Sequence, residues 1–181
     1  QYSSLKQINR SNVMQLKQAW FFPAGNNGFR YGSNPIIVDD VMYVVGKDNN
    51  IVALNAGTGK LIWVHDNQHP RSMSNRGVTY WESKDRSDRR ILFTMNNMLT
   101  AIDARTGKTI DSFGEHGFVD LKVGLGRDPK TVRQIESPTP GKIFDNLLLL
   151  GSAPGEGYDS PPGDLRAYNV ITGKKVWQFH T

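Results

Sequence analysis

The chain is predicted to be all-β, a β-propeller of four-stranded antiparallel blades, and three observations carry that expectation. One phrase recurs three times, four short strand-like segments surround each copy, and the copies are spaced as propeller or solenoid units are. The copies read Ala53-Leu-Asn-Ala-Gly-Thr-Gly-Lys60-Leu-Ile-Trp63, Ala101-Ile-Asp-Ala-Arg-Thr-Gly-Lys108-Thr-Ile-Asp111 and Ala167-Tyr-Asn-Val-Ile-Thr-Gly-Lys174-Lys-Val-Trp177. Gly59, Gly107 and Gly173 lie 48 and then 66 residues apart, so the unit is a repeat carrying insertions of different size.

Each phrase runs from an apolar segment through a small polar turn into a second apolar segment, which is hairpin grammar. Its last glycine falls where a short loop needs positive φ, and the threonine hydroxyl can bond local backbone. Within 1–28, residues 16–20 resemble the closing strand of an earlier blade, preceded by a short helical turn that Ser11 could cap. The blade at 29–66 has strand candidates at 35–38, 41–45, 51–54 and 61–65. The blade at 67–115 has them at 78–81, 90–95, 99–102 and 109–113, and the blade at 116–181 at 141–144, 147–150, 165–168 and 175–179. All are β-branched or aromatic runs bounded by Asp, Asn or Gly, as antiparallel strands are. Trp63 and Trp177 hold one fixed place in the phrase and are expected to close the gap between neighbouring blades. The second copy has Asp111 there, with Phe113 two residues on, so its docking must differ.

Composition fits a globular β domain, with 38% hydrophobic residues, 18 glycines and 9 prolines among 181 residues. No stretch approaches the roughly 20 apolar residues of a membrane span, and Gln1 opens no signal peptide. The absence of cysteine excludes disulfides, thiolate metal sites and a cysteine nucleophile, and is compatible with an oxidising compartment. A net charge of +5 does not make a nucleic-acid binder. The densest basic run, 84–90, is interleaved with acids in an expected hairpin loop, and no basic stripe with spaced aromatics exists. Gly57-Thr-Gly-Lys60 lacks the spacing of a phosphate loop and recurs as a turn, and the four histidines show no metal-ligand spacing.

Two segments break the repeat, and function is expected there. Ser74-Asn-Arg76-Gly77-Val-Thr-Tyr-Trp81 places an arginine beside a glycine at a strand entrance, where a planar guanidinium suits a carboxylate-rich ligand. The glycine- and proline-rich loop 151–163 carries Glu156, a carboxylate that could join a hard-cation site.

With these residues the chain resembles the pyrroloquinoline quinone (PQQ) dependent dehydrogenases, eight-bladed quinoprotein propellers. The resemblance runs through the opening Tyr2-Ser-Ser-Leu-x-Gln-Ile-Asn9, the blade phrase, Asn75-Arg-Gly-Val-x-Tyr-Trp81 and Gly151-Ser-x-x-Gly-Glu156. It implies oxidation of an alcohol or aldose by hydride transfer to PQQ, with Arg76 binding the quinone and Glu156 ligating the Ca2+ that polarises it. Ser152 and Gly155 are implied cofactor contacts, with Ser137 or Thr139 as a further hydroxyl. A carboxylate base is expected outside this chain, which holds about three blades and is expected to be part of a longer protein, incompetent alone. Implied partners are the remaining propeller blades, a small alcohol or sugar, and a respiratory electron acceptor, either a quinone or a cytochrome, but no nucleic acid. The implied location is the periplasm or a membrane facing it.

Two departures from the family's pattern stand out. His69-Pro-Arg-Ser-Met-Ser74 stands where many alcohol-oxidising members carry adjacent cysteines, and around Tyr31-Gly-Ser-Asn34 the glutamate often found just before the first blade's Pro-x-x-Val is replaced. The phrase Ser160-Pro-Pro-Gly-Asp164-x-Arg166-Ala-Tyr168 is closer to the sugar-oxidising, glucose dehydrogenase-like branch. The competing expectation is a non-catalytic propeller of the same repeat, acting as a scaffold or a ligand-binding module; Arg76 and Glu156 discriminate, since a scaffold needs neither.

Overall fold

The computed structural model describes residues 5–24, 32–67, 73, 76–135, 137–153 and 155–181. Tyr2, Tyr31, His69 and Asn75, named above for the family resemblance, lie outside the described residues. The strands form three separate four-stranded antiparallel sheets. The first contains β1 (Ile36–Val38), β2 (Val41–Val45), β3 (Ile51–Asn55) and β4 (Leu61–His65), in that spatial order. The second contains β5 (Thr79–Glu82), β6 (Arg89–Met95), β7 (Met98–Asp103) and β8 (Phe118–Asp120), and the third β9 (Lys142–Phe144), β10 (Leu147–Leu150), β11 (Leu165–Asn169) and β12 (Lys175–Phe179). Each sheet is a meander in which sequence neighbours pair, as blades are built.

The repeated phrase forms the same turn three times. The amides of Gly59, Gly107 and Gly173 donate to the carbonyls of Asn55, Asp103 and Asn169 at 2.8 Å in each copy. The side chains of those same three residues accept from the amides of Thr58, Thr106 and Thr172. The threonine hydroxyls in turn accept from the amides of Lys60, Lys108 and Lys174 at 3.3 Å. The turn is closed by its own residues, so it forms wherever the phrase occurs.

Blade docking follows from that turn. Trp63 on β4 lays its indole on Gly107 of the next blade and donates Nε1–H to the Ala104 carbonyl at 3.2 Å. A Cβ on Gly107 would fall 2.6 Å from the ring, and φ there is +71°, so contact and backbone both exclude a side chain. Trp20 makes the same contact one blade earlier, covering Gly59 and donating to Ala56 O at 3.0 Å. It therefore docks as expected, although 16–20 forms no strand: a strand needs a neighbour, and none lies beside it among the described residues. Ser11 does not cap the preceding turn, Val13–Gln15, whose N-cap is Asn12; its hydroxyl bonds Asn9 instead.

Between the second and third blades the tryptophan is absent and other groups take its place. Arg90 on β6, 5% exposed, grips Asp88 through Nε and Nη2, and its Nη1 donates to the carbonyls of Val170 and Ile171 at 3.1 and 2.8 Å. Val170 holds the place in the phrase that Ala56 and Ala104 hold, so a guanidinium satisfies the carbonyl that an indole satisfies elsewhere. Gly114 N donates to Thr172 O at 3.0 Å, and Phe113 is fully buried. The segment 109–113 is consequently not the fourth strand that its apolar run predicts. Only Thr109 bridges to Ile102, and the chain then swings out and returns as β8, pairing Leu99 with Val119. β8 falls within the 116–181 segment.

Two apolar clusters join the sheets, one built on Tyr43, Ile51, Ile91, Phe93 and Ile102, the other on Leu92, Leu99, Phe113, Leu148 and Tyr168. The central strands β6 and β7 are buried on both faces, whereas β4 and β12 are largely exposed. Trp177 on β12 stands at the docking position and is 38% exposed.

Candidate functional site

Antiparallel connectivity gives every blade two unlike ends. The β1–β2, β3–β4, β5–β6, β9–β10 and β11–β12 turns share one end, which carries the Thr-Gly-Lys turns. The opposite end receives the β2–β3, β6–β7 and β10–β11 connections and the crossings from blade to blade, at 66–78 and 121–141. Arg76 lies in the first crossing, Ser137 and Thr139 in the second, and Ser152, Gly155 and Glu156 in the β10–β11 connection. All six candidate residues from sequence therefore occupy this connector end.

Arg76 is exposed, and its guanidinium makes no hydrogen bond or ion pair among the described residues. Its position is fixed by Gly77, whose φ is +107° and where a Cβ would stand 3.0 Å from the Asn34 carbonyl. The chain thus presses backbone to backbone against the entrance of the first blade and presents the arginine beside it. Behind it, Thr79 Oγ1 donates to Pro140 O at 2.7 Å and Trp81 Nε1 to Asp145 O at 3.0 Å, holding the first strands of adjacent blades together. The start of the crossing is pinned by Asn67, whose Nδ2 donates to Asn49 O and whose amide donates to Asn50 Oδ1.

Ser137 is buried, and its hydroxyl is engaged within the protein, donating to Gly151 O at 2.7 Å with Thr139 O at 3.1 Å. Thr139 is exposed. Ser137 thereby ties the second crossing to the β10–β11 loop. Ser152, half-buried, accepts from Arg166 Nη2 at 3.2 Å, and Gly155 and Glu156 beyond it are exposed. No contact joins Arg76 directly to Glu156 among the described residues. No group of three or more His, Asp or Glu side chains placed to hold a metal occurs among those residues, so Glu156 is a single candidate ligand.

Sequence reasoning passed over several residues that shape this end. Asn97, in the β6–β7 turn, accepts from the Ile135 amide through Oδ1 at 2.6 Å, and its carbonyl accepts from Leu121 N at 2.9 Å, fastening the 121–135 insertion over the third blade. Asp164 is 1% exposed; burial disfavours its charge, yet hydrogen bonding from Gln178 and the neighbouring His180 keep its carboxyl below the usual carboxylate range. Arg166 is fully buried. Its signal in the sequence was a charge inside a strand-like run, which alternation alone assigns to a solvated face.

An array of four-stranded blades with unlike ends, turns closed on themselves at one and unpaired charges at the other, defines a β-propeller that keeps its variable loops together. The comparisons with known proteins place it further. Residues 1–181 match the glucose/ethanol/alcohol dehydrogenase β-propeller domain family of PQQ proteins, and the chain belongs to that family. It is 32% identical over 209 residues to the quinate/shikimate dehydrogenase (quinone) of Acinetobacter baylyi, covering 98% of this chain and 26% of that protein. It is 30% identical over 203 residues to the quinoprotein glucose dehydrogenase of Escherichia coli, covering 98% and 25%. Its fold matches the quinohemoprotein alcohol dehydrogenase from Comamonas testosteroni with a TM-score of 0.77 at 26% identity, over 99% of this chain and 25% of that one. The chain thus spans about a quarter of the length of the relatives it matches.

Proposed function

We propose that this chain forms part of the cofactor seat of a PQQ- and calcium-dependent dehydrogenase that oxidises the CH–OH group of an alcohol or aldose. The observation that carries this is the pair of unpartnered opposite charges, Arg76 and Glu156, on one end of a propeller whose other end is closed upon itself. The donor set fits the group: PQQ bears three carboxylates, which a free guanidinium and the hydroxyls of Ser152 and Thr139 complement, and a hard cation takes a carboxylate such as Glu156. When bound, PQQ would supply hydride-acceptor chemistry and a hard cation would supply Lewis acidity. In this chain Arg76 binds and orients a carboxylate, Glu156 holds the cation, and Gly155 lets backbone approach closely. Ser137 acts one step behind, fixing Gly151 so that the loop keeps its course. The carboxylate base and the remaining cation ligands come from outside this chain.

Of the alcohol and sugar branches, we favour the glucose dehydrogenase-like one, on the phrase at 160–168 and the lack of cysteine. The electron acceptor is a respiratory quinone or cytochrome, and the site faces the periplasm. Among the described residues no helix is long and apolar enough to cross a membrane. The test is dye reduction by the complete natural protein reconstituted with PQQ and Ca2+, supplied in turn with aldoses and primary alcohols. Turnover faster with aldoses is expected. Absence of both PQQ binding and turnover overturns the proposal and favours a scaffold.

A further inference from the structure

The phrase at 160–168 contains a residue that neither the fold nor the proposed seat has so far used. Arg166, on β11, is 0% exposed, yet its guanidinium has no carboxylate partner within 4 Å among the described residues. Arg90, the other deeply buried arginine among the described residues, is neutralised by Asp88 at 2.6 Å. The nearest acid in sequence to Arg166, Asp164, is bonded to Gln178 and His180 instead. Burying a guanidinium without a counter-charge is unfavourable, and its retention calls for a compensating interaction.

The bonds Arg166 makes indicate what that interaction is. Nη1 donates to the Leu121 carbonyl at 2.7 Å, at the start of the 121–135 insertion, and Nη2 donates to Ser152 Oγ at 3.2 Å. The group lies over the Tyr168 ring, 5.7 Å from its centroid, and Nε is without a hydrogen bond. The loop is thus anchored at Gly151 by Ser137, at Ser152 by Arg166 and at Asp159 by Arg127, whose Nη1 donates to its carbonyl at 2.9 Å. Gly155 and Glu156 sit between these anchors. A hydroxyl that accepts from a guanidinium keeps its own proton to give elsewhere, and the accepted bond makes it a stronger donor.

We propose that Arg166 is a positioning residue for the connector-end site: it fixes and polarises Ser152 so that the hydroxyl donates to an anionic oxygen of the ligand, whose charge compensates the buried guanidinium. This rests on the cofactor seat proposed above and adds to it a residue that touches neither cofactor nor metal. The phrase at 160–168 then carries part of the site's architecture.

The test uses the complete natural protein in three forms: wild type, Arg166→Met and Arg166→Lys. Two quantities are measured: affinity for PQQ against affinity for its uncharged trimethyl ester, and amide hydrogen exchange across 151–160 without cofactor. Arg166→Met is expected to weaken PQQ binding about 10- to 100-fold while changing ester binding less than about 3-fold. Exchange across 151–157 should quicken, and Arg166→Lys, retaining charge but not the fork, should fall between. Equal loss for PQQ and ester, or no loss for either, overturns the proposal. If Arg166→Met does not fold, Arg166→Lys alone decides by the same ratio. A wild-type protein that fails to bind PQQ overturns the function and the ligand half of this inference, whereas the exchange comparison still decides the positioning half.

Discussion

The two ends of this propeller segment are built from the same strands by opposite rules. At the turn end, the Gly, Thr and Lys amides of the three Thr-Gly-Lys turns are bonded within the turn, and the carbonyls of Ala56, Ala104 and Val170 accept from a neighbouring blade's indole or guanidinium. At the connector end, Arg76 and Glu156 have none among the described residues, and Arg166 Nε is buried without one. The self-satisfied turns lie where the sequence repeats, and the proposed ligand seat lies where the repeat is interrupted. Substitutions at the two ends should therefore separate stability from affinity.

The largest effect is expected from Glu156→Gln in the complete protein, which should weaken calcium-dependent PQQ binding by more than about 100-fold, since even outer partners of a metal ligand commonly contribute 10- to 100-fold. Its melting temperature should stay within a degree or two, because Glu156 is exposed and bonded to nothing described. A coincident loss of stability would break the separation. At the turn end, Arg90→Met should destabilise by about 3 kcal/mol, leaving Asp88 and the Val170 and Ile171 carbonyls unpaired, with PQQ affinity unchanged in folded protein. Denaturant unfolding followed by a cofactor titration reads both. Gly107→Ala should lower stability by about 2 kcal/mol through the positive φ and the contact with Trp63.

The smallest effect concerns pH. Asp164 has its carboxyl lowered in the folded state, so its contribution is fully present above the unfolded carboxylate pKa of about 3.9 and is lost as pH falls through the lower folded value. Asp164→Asn should flatten the acid limb of stability against pH below about 4. A limb as steep as in wild type would assign acid lability to other groups.

The fold was legible because the turn phrase is self-contained: eleven of the twelve strands fall within a residue of where the runs place them. The exception, 109–113, misled because its apolar residues serve packing, with Phe113 inside the inter-blade core and Ile110 partly buried against it, and periodicity cannot distinguish residues that pack from residues that pair. Residues 16–20 misled in the opposite sense, since Trp20 docks as a blade tryptophan without strand pairing. The connector-end candidates were legible as breaks in the repeat. Their supports Asn97 and Arg166 were not, because they act across 38 and 45 residues of sequence, through an insertion whose path only the tertiary structure gives, and Ser137 was legible as a hydroxyl but not as the tie to Gly151, 14 residues on.

The central claim, that the connector end binds an anionic quinone through Arg76, is tested most directly by titrating the complete apo-protein with PQQ at fixed Ca2+, comparing wild type with Arg76→Gln. Saturation near one equivalent for wild type, an affinity about 10- to 100-fold weaker for the variant, and matching melting temperatures are the expected results. Equal affinity in the two proteins, or no binding by wild type, would contradict it.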